Sequence, residues 1–414
     1  MTEAAPKRDS PGPAQSPAPP PGPAGSGSPG TPVPAAPNPP PAGTPDPTPD
    51  TAPGPTPHAV PGPTPTALGR VRPGRPLAIA LAALVVALVV GVSVGPAGLS
   101  LTTVGEALLV RLPWHPALSV PPIDTAIVWQ IRLPRVILGA LVGAMLAGGG
   151  AAYQGVFRNP LADPYLLGVA AGAGLGATLI IVGGGSTHLL PAAAFTGAVG
   201  AVTVTYVLGS GAGRGGEPTG IGGSTASIVL AGVAVAALLT ALQEYLQQQH
   251  TQELQQIYTW ILGSLSLASW SDIALILPYV VIAAALLLAH RRLLDVLRVG
   301  EAEAGSLGVN VARLRLTVVL AATLGTASAV AVSGLIGFVG IIVPHTVRLT
   351  WGASYRIVLP VSMIGGAAFL VLADVVARTV QAPAEVPLTV ITATIGAPFF
   401  LFVLRSRRTR RDLS

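Results

Sequence analysis

Ten apolar stretches long enough to cross a membrane follow one another from Pro76 to the arginine-rich C-terminus, and this repetition constrains the fold more than any other feature. They cover roughly residues 76–94, 136–154, 166–183, 189–209, 227–246, 272–290, 314–332, 336–350, 357–377 and 387–405. About 20 helical residues at 1.5 Å of rise each span the ~30 Å hydrocarbon core. Half of the chain is hydrophobic and only 10% is charged, whereas soluble domains carry about 25% charged residues. The sequence predicts an all-α polytopic membrane protein of about ten transmembrane helices. The eighth stretch is short and contains Gly337, Gly340 and Pro344, so it is not expected to cross as one straight helix.

Residues 1–69 differ in kind. Of the 42 prolines, 24 fall in residues 1–65, among Ala, Gly, Ser and Thr. Such a segment buries too little apolar surface to offset its chain entropy. It predicts a disordered Pro-rich tail at 1–69, followed by the transmembrane domain at 70–414. No apolar run follows Lys7 and Arg8, so the tail does not read as a secretory signal.

Composition excludes several chemistries. The absence of Cys removes disulfides, thiolate metal sites and thiol nucleophiles. Lys7 is the only lysine, so a GxxxxGK[ST] phosphate loop cannot be assembled in the apolar part, and any ATP hydrolysis must come from a partner. The histidines, His58, His115, His188, His250, His290 and His345, show no metal-ligand spacing, and no metal site is predicted. The net charge of +6 resides in arginines of the apolar part and reads as membrane orientation, not as nucleic-acid binding. With the tail placed inside, the four basic residues on the outer side are Arg111, Arg132, Arg135 and Arg378. By the positive-inside rule both termini are expected to be cytoplasmic.

Several residues stand out against this background. Gly139, Gly143, Gly148–Gly150 and Gly155 on the second span allow close helix packing. Asn159-Pro160 and Asp163-Pro164 read as a tight turn. Asp374 is the one carboxylate well inside a span, which makes it a candidate for proton relay, although Arg378 one turn later supplies an i, i+4 partner. Residues 243–260 are dense in glutamine and end in Tyr258 and Trp260, which suits an aromatic belt at the outer mouth of a path.

Four segments, taken in order and spacing, carry a resemblance. They are Arg132-Leu-Pro-Arg135 with Gln154 to Pro164; Gly300-Glu301 through Leu307-Gly308; Ser333-Gly334 through Gly337, Gly340 and Pro344-His345 to Arg348; and Leu372-Ala373-Asp374 to Arg378 with Glu385, Pro387 and Gly396-Ala397-Pro398. Over residues 76–405 the chain resembles the FecCD-type permeases of ABC importers for iron-siderophore, haem and cobalamin. The tail has no counterpart in that pattern.

The resemblance implies a permease subunit with no cofactor of its own, working by alternating access in the cell membrane. ATP and Mg are used by a separate cytoplasmic ATPase, which would receive the loop carrying Leu297, Gly300, Glu301, Gly305, Leu307 and Gly308. An extracytoplasmic binding protein would dock its acidic knobs on Arg132, Arg135 and Arg378, since guanidinium forks match carboxylates. Interfacial snorkelling is the alternative for the first two. Gln154, Asn159, Pro160, Asp163, Gly337, Pro344 and His345 are the path or gating candidates. A second permease subunit completes the path, as a homodimer or with a similar permease. Iron-siderophore is the implied cargo, with cobalamin or haem as alternatives, and a proton-coupled transporter using Asp374 is the reading from another class.

Overall fold

The structure, a computed structural model, describes residues 74–111, 120–211 and 225–411. The tail expected at 1–69 lies outside these residues, as do Arg72, His115 and Arg214.

Among the described residues the chain forms α1 (Gly74–Ser93), α2 (Leu101–Leu109), α3 (Pro122–Ala126), α4 (Leu133–Val156), α5 (Val169–Val182), α6 (Leu190–Gly211) and α7 (Thr225–Gln249). It continues through α8 (Leu254–Ile261), α9 (Trp270–Leu297), α10 (Glu301–Ser306), α11 (Val311–Ser333), α12 (Val339–Trp351), α13 (Tyr355–Thr379) and α14 (Leu388–Arg411). The ten predicted spans correspond to α1, α4, α5, α6, α7, α9, α11, α12, α13 and α14. Among the described residues, seven helical segments are long and apolar enough to cross a membrane, and α5 and the apolar part of α14 are shorter apolar helices. The protein is therefore all-α and polytopic.

Position in the bundle follows from which helices leave apolar side chains uncovered. On α1, α6, α7 and α9 large apolar residues such as Val86, Val207, Leu230 and Val281 remain more than half exposed, as befits helices facing lipid. Most of α4, α11 and α13 is buried. Helix α4 forms the axis, packed along α13 on one side and against α9, α11 and α12 on the other. The close approaches depend on missing side chains. A Cβ on Gly143 would overlap the Gly366 carbonyl of α13, and one on Gly150 would overlap the Gly340 carbonyl of α12. Where lipid removes the hydrophobic drive to associate, this backbone-to-backbone contact supplies the packing.

The eighth span departs from a plain crossing, as its composition implied. Helix α11 ends at Ser333, and α12 starts only at Val339, with Gly334 (φ 69°) and Phe338 (φ 68°) in the left-handed region. Backbone groups freed inside the hydrocarbon layer must find partners within the protein. Tyr165 Oη donates to Ile336 O at 3.0 Å and accepts from the Ile336 N–H at 3.1 Å. Thr389 Oγ1 donates to Leu335 O, and the Ser264 N–H donates to Ser333 O at 3.0 Å.

Two elements differ from the sequence expectation. The second span begins earlier than residue 136, because α3 runs through a π-helical stretch, Ile127–Arg132, directly into α4. The wider turn accommodates Pro134, which has no N–H to give. Helix α2 lies between the first two spans, started by Ser100, whose hydroxyl accepts from the Thr103 N–H at 3.1 Å.

Candidate functional site

Functional side chains gather at the two ends of the bundle. At one end, the π-helical stretch and the first turn of α4 bring Arg132 and Arg135 against α1 and α13. Arg132, Arg135 and Arg378 are all buried within the chain, 3%, 6% and 2% exposed. Arg132 closes the end of α1 by donating from Nη1 to Val92 O at 2.9 Å and Ser93 O at 2.7 Å, and from Nη2 to Ala97 O. A cation at a helix C-terminus satisfies orphan carbonyls and the helix dipole together.

Arg135 binds two carboxylates at once. Its Nε lies 3.0 Å from both oxygens of Asp374, and Nη1 lies 2.6 Å from Glu385 Oε1. Arg378 donates from Nη2 to Gly91 O at 2.7 Å, and its Nε stands 3.5 Å from Asp374 Oδ2. The i, i+4 neighbour of Asp374 is thus present, but the nearer cation is Arg135, from another helix. Such burial suits only charges that are paired and hydrogen-bonded. Glu385, with its side chain 31% exposed, is the member of this cluster that reaches solvent.

A cavity of about 690 Å³ opens at the same end, where Trp270 beside it donates to Trp129 O at 2.9 Å. Gln252, Gln255 and Gln256 on and before α8 line it, together with Thr259, Ser266 and Ser333. Asp272 also lines it, but its carboxylate is engaged in the capping box that starts α9, accepting from Ser269 Oγ at 2.6 Å. Among the described residues no arginine lines this cavity, and its polar lining is mainly hydroxyl and amide groups together with His188. The glutamine-dense segment was expected near a path. Gln243 and Gln247, however, belong to α7 and are buried. The serines of the loop before α9 were missed, since short polar residues between spans read as an ordinary turn.

At the opposite end the turn after α4 is built from its own polar side chains. Asn159 Oδ1 accepts from the Leu161 N–H at 3.0 Å, and Asp163 Oδ1 accepts from the Tyr165 N–H at 2.8 Å. Burial pushes the Asp163 carboxyl up to about 6, against that N–H, which holds it down. Pro160 is exposed. Gln154, 2% exposed, ties this turn to α12 by donating to Ala162 O at 3.1 Å and Gly340 O at 3.0 Å, and its Oε1 accepts from Arg348 Nη1. After the C-cap Phe157, Arg158 adopts φ 51°, where glycine is the usual residue. Holding a side chain there costs about 1–2 kcal/mol. Of the other candidates, Gly337 faces open space, Pro344 is buried within α12, and His345 packs near Phe399 and Phe400.

The loop between α9 and α11 is anchored on one face and free on the other. Leu297 and Ala304 are fully buried, and Arg315 of α11 donates from Nη2 to Glu301 Oε1 at 2.6 Å. Gly300 precedes α10, Gly305 has open space around it, Leu307 is 70% exposed, and Gly308 turns the chain at φ 82°. Helix α10 is therefore a short rigid element fixed to the spans, with an uncovered outer surface.

A glycine-packed helical bundle with a hydroxyl-lined cavity at one end and a braced projecting helix at the other defines a polytopic membrane transport protein. The chain belongs to the FecCD transport family, whose pattern matches residues 83–406. The cobalamin import system permease protein BtuC of Halobacterium salinarum is 40% identical over 366 residues, covering 79% of this chain and 95% of its own length. The hemin transport system permease protein HmuU of Yersinia pestis is 38% identical, covering 83% of this chain and 99% of its own. A solved metal-chelate type ABC transporter in an inward-facing conformation superposes with a TM-score of 0.70 at 30% identity, covering 80% of this chain and 99% of that one. The protein is thus a multi-pass membrane permease of the ABC-importer type.

Proposed function

We propose that this permease carries an iron-siderophore or a related metal chelate inward across the cell membrane by alternating access. A separate ATPase supplies the energy at the α10 end, which faces the cytoplasm. The observation that carries the reading is α10 itself. Its inner face is locked to α9 and α11 while Leu307 and Gly305 are uncovered, the form required of an element that transmits a partner's closure to the spans. The names of the relatives support a chelate, haem or corrinoid as cargo, and the cavity of about 690 Å³ has the size of a ligand site.

A binding protein docks at the Arg132 end. Since the arginines are already paired, its acidic groups act by displacing Glu385 from Arg135, an exchange of one carboxylate for another. Two copies of the chain enclose the path. Proton coupling through Asp374 is disfavoured by the two guanidinium groups that hold this carboxylate. The test is to purify the partner binding protein, identify the chelate it retains, and follow ATP-dependent uptake of that chelate into proteoliposomes holding permease and ATPase. Retention of cobalamin or haem in place of an iron chelate moves the cargo to those alternatives. Uptake that follows a proton gradient without ATP rejects the importer reading.

A further inference from the structure

A second cavity, of about 300 Å³, opens beside the turn after α4. Arg158 from the turn, Arg298 from the end of α9 and Arg348 from the last turn of α12 all line it. Arg348 spends its bonds on neutral acceptors. Nη1 donates to Gln154 Oε1 and Nη2 to Tyr355 Oη at 3.2 Å, with Cζ 5.6 Å from the Tyr355 ring centre. The charge of Arg348 stays uncompensated, and Tyr355, accepting from it, keeps its own hydroxyl proton to donate. Among the described residues neither Arg158 nor Arg348 forms a salt bridge. Arg298 stands 3.7 Å from Asp295 Oδ1, but that carboxylate is already taken by the Tyr355 N–H at 2.6 Å and the Ser354 hydroxyl at 2.7 Å, and it does not line the cavity.

Three guanidinium groups from separate elements therefore line one small space together with a hydroxyl donor. Arg158 holds its place there in a left-handed backbone conformation, a strain that functional sites retain. We propose that Arg158, Arg298 and Arg348 form an anion site that takes a phosphate group, either from an anionic phospholipid headgroup or from free phosphate. Phosphate is favoured over a carboxylate because its oxygens point in several directions and can each meet a different guanidinium, whereas a carboxylate offers two oxygens in one plane. Basic pockets between spans at the membrane surface hold lipid headgroups by the same physics. Leu161, Val299 and Leu349, next in sequence to lining residues, are all more than half exposed and offer apolar surface for acyl chains. The site belongs neither to the hydroxyl-lined cavity nor to α10, and it does not depend on the identity of the cargo.

The experiment uses the full chain in nanodiscs of phosphatidylcholine with and without phosphatidylglycerol. Native mass spectrometry reads the retained phosphatidylglycerol, and thermal unfolding reads stabilisation by inorganic phosphate against chloride at equal ionic strength. Arg158→Gln/Arg298→Gln leaves the bonds of Arg348 intact, and Arg292→Gln, exposed and not lining the cavity, is the control. Loss of two charge-assisted contacts is expected to lower retention of phosphatidylglycerol about tenfold or more, with the control unchanged. Inorganic phosphate that stabilises the native chain, fails to stabilise the double variant and displaces the lipid identifies free phosphate as a source. Lipid loss without a phosphate effect identifies the headgroup. The proposal is overturned if neither probe distinguishes the double variant from the native chain, or if Arg292→Gln loses as much. It is equally overturned if anion retention persists while the double variant loses the ATPase, because the arginines then serve a protein's carboxylates. Should the double variant elute as aggregate, Arg158→Gln alone carries the same comparison.

Discussion

The guanidinium of Arg135, at the start of α4, closes on the carboxylate of Asp374, late in α13, with Nη2 2.8 Å from Oδ1 and Nε 3.0 Å from both oxygens. The two most intimately packed helices of the bundle are thus pinned by a buried ion pair. Removing Asp374 leaves Arg135 with only Glu385, and removing Arg135 leaves Asp374 with only the more distant Arg378, and weakening the compensation of a buried charge in this way costs up to about 3–5 kcal/mol. Arg135→Met and Asp374→Leu should each lower the unfolding temperature strongly in a fixed detergent, and the double variant, which still leaves Arg378 and Glu385 without these partners, should lose less than the sum of the two. Additive losses would show that the pair is not coupled.

On the docking proposed above, Glu385, which holds Arg135 at 2.6 Å, would compete with an incoming carboxylate. Glu385→Gln should therefore strengthen binding of the isolated binding protein to permease in nanodiscs by about two- to fivefold, the scale of a partly exposed pair. Added salt should shrink the difference. Weaker binding by this variant would remove Arg135 from the docking surface.

The contact between Gly150 and the Gly340 carbonyl leaves no room for a methyl group. Gly150→Ala should destabilise the protein by about 1–3 kcal/mol through overpacking. Gly200→Ala on α6, where a Cβ meets nothing within 4 Å, should be neutral or slightly stabilising. Unfolding temperatures in one detergent decide the matter, and equal behaviour of the two variants would contradict the packing described.

Asp163 carries a pH signature. Burial raises its carboxyl to about 6 from an ordinary 3.8. A folded value above the unfolded one means that ionisation opposes folding. The native state is most favoured below about 4, loses on the order of 2–3 kcal/mol as the pH rises to about 6, and changes no further above it. Asp163→Asn should flatten this part of the stability profile while its side-chain oxygen still accepts from Tyr165. A profile unchanged by the substitution would show that another group sets it.

Gly305 offers a clean probe of α10, because a Cβ there meets nothing within 4 Å. Gly305→Trp should leave the unfolding temperature unchanged yet reduce substrate-stimulated ATP hydrolysis by the reconstituted importer severalfold, while the binding protein still docks. Gly300 is a poorer probe, since a Cβ there runs into the Glu303 carboxylate. Full stimulation in the Gly305 variant would place the ATPase contact elsewhere.

Most spans were legible because each is a long apolar run, and the eighth stood out as short and glycine-containing, although its break lies at residues 334–338 and Pro344 sits inside α12. Helix α2 was not, since Leu101–Leu109 is too short to show a convincing period. The second and nearer partner of Asp374 was hidden for a different reason. Spacing along one helix reveals Arg378, whereas Arg135 is 239 residues away and becomes a neighbour only when α4 lies on α13. The buried state of Arg132 was equally hidden, because the carbonyls that hold it belong to the end of α1 and carry no side-chain signature.

The unwound stretch between α11 and α12 is fastened by hydroxyls of Tyr165 and Thr389 rather than by a helical ladder. Each such fastening is worth only about 1 kcal/mol net, and hydroxyl rotors re-form readily in a slightly different direction. The bundle therefore has a joint at which α12 can swing without tearing any helix apart. Ser333 and Gly334 form part of this joint and also part of the wall of the hydroxyl-lined cavity. Any movement of the half-helix reshapes that cavity at the same time, so the cavity's volume and the position of α12 cannot change independently.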